Sequence, residues 1–239
     1  MEFGLWEKYY KEILDDFGFS RNDDEKSAKL LDEILSTQGC LTLDELSQIV
    51  GFSDKFIVFG AGQSLKEHIL MLKEDYDLKD YVLVAADGAT TAMIEERISP
   101  DIICTDLDGN LDDILIANIR GANIAIHAHG DNIDKIATLP QFFNSVIGTT
   151  QAQPIGNIYN FGGFTDGDRA LFLSVALGAS EIILAGMDFG DKVTKYSRPN
   201  LEVDVDDADD FKRKKLMYAE KFTNWIVENE SVNVVNLLE

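Results

Sequence analysis

Cysteine, long apolar runs and positive charge are all scarce in this chain. Cys40 and Cys104 are the two cysteines among 239 residues, which excludes a disulfide framework and a cysteine-rich zinc site. Cys104 ends the apolar run 101–104 and is expected to be a small buried hydrophobe. No apolar stretch approaches the roughly 18 residues that span a bilayer. The acidic start of the chain lacks a signal-like apolar core, so the expected location is the cytoplasm, with no membrane partner. Lys and Arg number 21 against 43 Asp and Glu, a formal net charge of -22. A field of that sign repels nucleic acid. It repels a polyphosphate as well. A phosphate ligand would need backbone N–H groups, local basic side chains or a divalent cation to offset it.

Residues 1–53 show no strand-like alternation. Trp6, Tyr9, Tyr10, Ile13 and Leu14 recur at helical spacing, as do Ala28, Leu31, Ile34 and Leu35. Thr42 followed by Glu45 is a capping-box pattern. This stretch reads as a helical N-terminal appendage. Over 54–239 the pattern changes to short apolar runs alternating with helical stretches. Strands are predicted at 55–59, 81–86, 101–104, 123–127, 145–148, 157–160, 181–185 and 232–237. Helices are predicted at 64–73, 89–97, 111–118, 132–138, 167–177 and 211–229. Such alternation predicts βαβ units in a three-layer α/β domain around a mostly parallel sheet. The continuously apolar run Ile182–Ala185 suits a sheet covered on both faces. Residues 188–210 have no period, are rich in Asp and contain Pro199; they read as a loop able to close over a site.

Polar clusters follow the predicted strands, where open α/β sheets place their ligands. Gly60, Gly62 and Ser64 join the first strand to its helix, with a tight turn, a helix cap and N–H groups open to phosphate. The loop is neither a full dinucleotide fingerprint nor a Walker A sequence. Asp87 and Gly88 follow the second strand; Asp87 either caps the next helix or binds a ribose hydroxyl or hydrated metal. Asp106 and Asp108 follow the third. Two carboxylates there meet the needs of magnesium, which takes hard oxygen ligands and keeps several waters. If that stretch were extended, both would face one side. His127 and His129 are two of three histidines in the chain and stand beside Gly130 and Asp131. Without further zinc ligands, they fit phosphate or substrate contact or acid–base work. Thr149, Thr150 and Gln151 offer hydroxyls and an amide. The densest stretch, 160–169, supplies donors at Gly162 and Gly163, a hydroxyl at Thr165, carboxylates at Asp166 and Asp168, and the paired donors of Arg169. Asp188 repeats the strand–Gly–Asp design in Gly186–Gly190. Lys215 belongs to the basic run 212–215 that opens the last helix.

These motifs, in this order, resemble the archaeal 6-hydroxymethyl-7,8-dihydropterin pyrophosphokinase family. The resemblance runs through Gly60–Leu65, Ala86–Ala89, Thr105–Gly109, His127–Asn132, Gly148–Gln151, Asn160–Arg169, Gly186–Gly190 and Lys215-Leu216. Gln63 stands where the family usually has proline. The resemblance implies a Rossmann-like sandwich and magnesium-dependent transfer of diphosphate from ATP to a reduced pterin, with AMP released, within methanopterin or folate synthesis. It also implies that Asp106, Asp108 and Asp87 hold the metal, and that Arg169 and one of His127 or His129 steady the phosphates. Asp166 or Asp168 would assist. ATP and the pterin would be the partners, and a homo-oligomer stays open. A more distant similarity to thiamine pyrophosphokinase, and the use of related folds by glycan and nucleotide-sugar transferases, define the alternatives.

Overall fold

The structure, a computed structural model, describes residues 1–238. Three helices come first: α1 (Phe3–Phe17), α2 (Arg21–Gln38) and α3 (Leu43–Val50). Each boundary has a local cause. α1 stops at Gly18, whose left-handed backbone returns an N–H to the Leu14 carbonyl. Ser20 caps α2, and Thr42 with Glu45 forms the capping box at α3 that the sequence pattern predicts.

The strands and helices then alternate: β1 (Lys55–Phe59), α4 (Leu65–Asp75), β2 (Val82–Ala86), α5 (Ala89–Glu95), β3 (Ile102–Thr105), α6 (Leu111–Ile119), β4 (Asn123–Ala128) and α7 (Ile133–Ile136). They continue with β5 (Val146–Thr150), β6 (Ile158–Tyr159), α8 (Asp166–Ala176), β7 (Glu181–Ala185), β8 (Lys192–Thr194), β9 (Val205–Asp207), α9 (Asp210–Asn229) and β10 (Asn233–Asn236). Eight strands form one sheet in the order β10-β7-β1-β2-β3-β4-β5-β6. Every pairing in it is parallel.

Alternate side chains of each strand enter different layers. Ile57, Phe59, Leu83 and Ile183 pack with α2, α4, α5 and α6. Phe56, Val58, Val84 and Ile182 pack with α1, α3, α8 and α9. The N-terminal helices therefore supply part of both layers: Trp6 and Tyr10 of α1 and Leu31 and Leu35 of α2 are fully buried.

Residues 188–210 are more ordered than their composition indicates. β8 and β9 pair as an antiparallel hairpin, with ion pairs joining Lys192 to Asp207 and Lys195 to Asp204. Strands this short, with β9 wholly exposed, leave no period to read. The hairpin is pinned over the sheet end. Thr194 Oγ1 donates to the Ala61 carbonyl at 2.7 Å, and Tyr196 buries its ring while its hydroxyl reaches Glu95 at 2.6 Å. A Cβ at Gly88 would stand 1.7 Å from the Tyr196 carbonyl oxygen, so only glycine lets the strap lie this close.

Candidate active site

The strand order reverses at β1, which pairs with β2 on one side and β7 on the other. The loops leaving β1, β2, β3 and β7 diverge there and enclose a cavity of about 290 Å³. This is the crevice where doubly wound sheets bind ligands.

Four carboxylates meet at its floor. Asp87 leaves β2 with φ of 41°, a conformation costly for a residue with a Cβ. Its Oδ1 accepts from Thr105 Oγ1 at 2.5 Å. Asp106 and Asp108 flank Leu107, which is buried with φ of 68°. The loop is therefore not extended: a left-handed turn, tied by Leu107 N donating to Thr105 Oγ1 at 2.8 Å, swings Asp108 back beside Asp106. Asp166 comes from the first turn of α8. One oxygen from each of Asp87, Asp106, Asp108 and Asp166 lies within 4.8 Å of the others. Gly109 admits the Asp87 carboxylate, which a Cβ there would meet at 2.2 Å.

So much like charge resists ionisation. Burial first, then the charges of Asp166, Asp106 and Asp108, raises Asp87 well above the usual carboxylate range. Burial and the Asp106 charge push Asp166 up to about 8. Burial and Asp106 raise Asp108 too. Burial alone would raise Asp106; the hydrogen bond from His129, with the Arg169 charge, outweighs it and holds Asp106 below its ordinary value. Asp106 Oδ1 is buried with no hydrogen-bond partner. An all-oxygen donor set, mutually repelling and holding an orphaned buried oxygen, fits a hard divalent cation such as magnesium.

Cationic groups face this floor. Arg169 Nη1 donates to Asp166 Oδ1 at 3.1 Å and Nη2 to Gln151 Oε1 at 3.4 Å. Lys212 and Lys215 of α9 line the cavity, three residues apart and so on one helical face. Arg213 and Lys214 instead pair outward with Asp210 and Asp16. Burial, then the charge of Lys215, lowers the Lys212 ammonium below its ordinary value.

The glycine loop differs from expectation. The N–H of Gly60 donates to the Ala185 carbonyl at 2.8 Å and that of Gly62 to the Gly186 carbonyl at 2.9 Å. Ser64 N–H and Oγ both reach the Asp188 carboxylate, at 3.3 Å and 3.0 Å. These donors are thus committed to the loop after β7, and the Ser64 side chain does not cap α4. Gly60, Gly62, Gly88, Thr165 and Asp188 nevertheless line the cavity. Asp87 likewise makes no cap: Gly88 is the N-cap of α5.

The remaining predicted residues frame the site at more distance. His129 Nε2 lies 3.3 Å from Asp106 Oδ2, while its Nδ1 accepts from Asp131 N at 3.3 Å; the Asp131 side chain is exposed. Gly130 N donates to Asp24 Oδ1 at 2.7 Å. Thr150 is buried, its hydroxyl donating to the Ala128 carbonyl. Gly162 and Gly163 carry positive φ on the approach to α8. Asp168 is fully buried and turned from the cavity. Its two oxygens accept from Phe164 N, Thr165 N and Thr165 Oγ1 at 2.6, 2.8 and 2.5 Å. It completes the capping box of α8, leaving Asp166 as the carboxylate presented to the floor.

A sequence profile described as "MptE-like: 6-hydroxymethylpterin diphosphokinase MptE-like" matches residues 28–194. The chain belongs to this family. Three proteins called 6-hydroxymethyl-7,8-dihydropterin pyrophosphokinase are similar over nearly their whole length. That of Methanothermobacter thermautotrophicus is 50% identical, covering 98% of this chain and 99% of its own. Those of Methanocaldococcus jannaschii and Pyrococcus furiosus are 44% and 42% identical, with coverage of 95% and 98% of this chain and 96% and 98% of their own. Among solved structures, the MAf glycosyltransferase of Magnetospirillum magneticum superposes with a TM-score of 0.51 at 14% identity, over 83% of this chain and 37% of that one. That likeness concerns the fold alone.

The family match ends at Thr194, before α9, so Lys212 lies outside it. In the sequence Lys212 is one of four adjacent cations, and only the helix phase and the outward pairing of its neighbours separate it from them. Asp24 and Asn132 were also hidden. Asp24 accepts from Tyr10 Oη, Gly130 N and Gln151 Nε2 at 2.7, 2.7 and 2.9 Å, tying α1 and α2 to the loops after β4 and β5. Asn132 Nδ2 donates to the carbonyls of Asp106 and His127 at 2.9 and 2.7 Å.

Proposed function

We propose that this protein transfers the diphosphate of ATP to 6-hydroxymethyl-7,8-dihydropterin and releases AMP. Its family and its 42–50% identity to pyrophosphokinases over nearly full length support that reading. The observation that carries the chemistry is the group of four carboxylates opposite Arg169, Lys212 and Lys215 at the sheet's switch point. In the reaction the hydroxymethyl oxygen attacks the β-phosphorus. The bond from that phosphorus to the oxygen shared with the α-phosphate breaks, AMP departs with the electron pair, and the hydroxymethyl O–H proton is released to solvent. Little covalent work falls to the protein; positioning and charge compensation dominate.

Asp87, Asp106 and Asp108 would hold magnesium, with Asp166 completing the group. An ion held there would neutralise phosphate charge and relieve the repulsion among the carboxylates. His129 holds Asp106 in its ionised, ligand-ready form. Arg169, Lys212 and Lys215 offset the remaining negative charge, which the acidic molecule would otherwise repel. The strap over 192–207 roofs the crevice and keeps water from the diphosphate.

Incubation with ATP, magnesium and the hydroxymethyl pterin should yield one AMP per diphosphorylated pterin. ADP as the nucleotide product would overturn the mechanism. Thiamine in place of the pterin tests the alternative acceptor and should give no AMP above background.

A further inference from the structure

A second, smaller cavity lies beneath the ends of β3, β4 and β5, next to the carboxylate floor. Its volume is about 20 Å³, and Asp166 and Arg169 line it as well as the main crevice. Its walls include His127, Thr149, Phe161 and Leu173.

Two buried polar atoms of its lining residues have no partner. His127 is 3% exposed. Its Nδ1 lies 3.1 Å from Thr149 Oγ1, and the Thr149 hydroxyl donates to the Ile126 carbonyl at 3.2 Å. A hydroxyl has one proton to give. Both contacts are hydrogen bonds only when the imidazole donates from Nδ1, the tautomer that leaves Nε2 as a bare acceptor, and that atom is buried and unpaired. Arg169 Nε, a donor that cannot be deprotonated, is buried and unpaired beside the same cavity. Its two terminal nitrogens are already used on Asp166 and Gln151. An unmet acceptor and an unmet donor are costly to bury unless something supplies their complements.

We infer that this cavity receives the lactam edge of the substrate's pyrimidinone ring, with N3–H donating to His127 Nε2 and the C4 carbonyl accepting from Arg169 Nε. The inference rests on the pterin reading above and deepens it. Only an edge fits the enclosed space. The rest of the flat ring would lie against Phe161, which is itself stacked on Tyr159 at 5.5 Å. Because Asp166 and Arg169 border both cavities, a ring so seated keeps its hydroxymethyl arm beside the carboxylates. The crevice between β1 and β7 stays free for the nucleotide.

The test measures binding of 6-hydroxymethyl-7,8-dihydropterin and of its N3-methyl analogue to the full-length protein, with magnesium and a non-hydrolysable ATP analogue present. The wild type should bind the N3-methyl compound about ten-fold or more weakly. His127→Phe should weaken binding of the parent pterin by a similar factor, leave ATP-analogue affinity within about two-fold, and no longer distinguish the two pterins, as expected for coupled partners. Equal binding of both pterins by the wild type would overturn the inference, and that arm holds even if His127→Phe fails to fold. Unchanged pterin affinity in a folded His127→Phe would also overturn it, and would mean that an ordered water alone fills the space. AMP release by the wild type with the parent pterin is scored separately, so loss of the subsite and loss of the pterin reading give different results.

Discussion

At the scale of single residues, the four floor carboxylates are not equivalent. Asp106 is ionised in the folded protein because His129 and Arg169 hold its charge. Asp166 resists ionisation, with burial foremost and the Asp106 charge next. Replacing each by asparagine should therefore have opposite effects on stability. Asp166→Asn removes a charge that the fold excludes. Without divalent cation at pH 8 it should raise stability by on the order of 1–3 kcal/mol, or about 2–4 °C in Tm per kcal/mol for a chain of this size. Asp106→Asn breaks the pairing with His129 and should give no such gain. Both should lose AMP production by about two orders of magnitude or more. Thermal unfolding in EDTA beside a turnover assay checks this; a lowered Tm for Asp166→Asn would contradict the ordering. Proteins commonly give up stability for a charged site in this way.

At the scale of elements, the start of α8 carries two nearby carboxylates with separate tasks. The sequence shows Asp166 and Asp168 two apart, and the capping-box spacing of Thr165 and Asp168 does not by itself decide which carboxylate faces the site. Helix geometry does: position N1 points Asp166 into the crevice, while N3 turns Asp168 back to cap the helix. Asp168→Ala would leave the N–H groups of Phe164 and Thr165 buried without acceptors. The expected cost is roughly 2–4 kcal/mol, seen as a lowered denaturant midpoint with unchanged slope. Asp168→Asn keeps one acceptor and should cost less, with turnover largely retained well below its Tm. Equal, complete inactivation of a stably folded Asp168→Asn would place that residue in the chemistry instead. The strap shows the opposite limit of legibility. Its two three-residue strands are held by charge pairs and by Tyr196 over Gly88, and neither produces a hydrophobic period.

At the scale of the whole molecule, stability without metal should depend on pH in a defined direction. An unfolded aspartate ionises near pH 3.8, whereas folded Asp166 holds its proton to about 8. Between those values the folded state binds more proton at Asp166 than the unfolded one, so the contribution of this group to stability falls as pH rises; buried His127 and His68, held below their ordinary value by burial, act in the opposite sense below pH 6.5. The stabilising proton is fully present below pH 3.8 and lost through pH 8; Asp87 and Asp108, also raised, act in the same sense. On the proposal that magnesium is held by the ionised cluster, the Tm gain from saturating magnesium should be larger at pH 8 than at pH 5. Differential scanning calorimetry at the two pH values, with and without magnesium, measures it. A gain that is equal or greater at pH 5 would contradict the cluster as the binding site.

Local rules suffice for much of this protein. Apolar runs of four to six residues bounded by polar turns made the six inner strands of the sheet legible, because a parallel strand buried on both faces needs such a run; the edge strands β6 and β10 are short or half-exposed. Thr42 and Glu45 marked the start of α3 for an equally local reason. Asp87, Asp106, Asp108 and Asp166 were visible as carboxylates after strands or at a helix start. What sequence order does not contain is which strand ends become neighbours. Only the return of β7 to the far side of β1 brings the Gly60 and Gly186 loops together, and it commits the N–H groups of Gly60 and Gly62, which seemed open to phosphate, to the carbonyls of Ala185 and Gly186. The left-handed turn at Leu107, the inward phase of Lys212 and the unpaired Nε2 of His127 likewise depend on packing between segments far apart in the chain. Residue types and strand ends are properties of short stretches; proximity, burial and the resulting charge states belong to the folded whole.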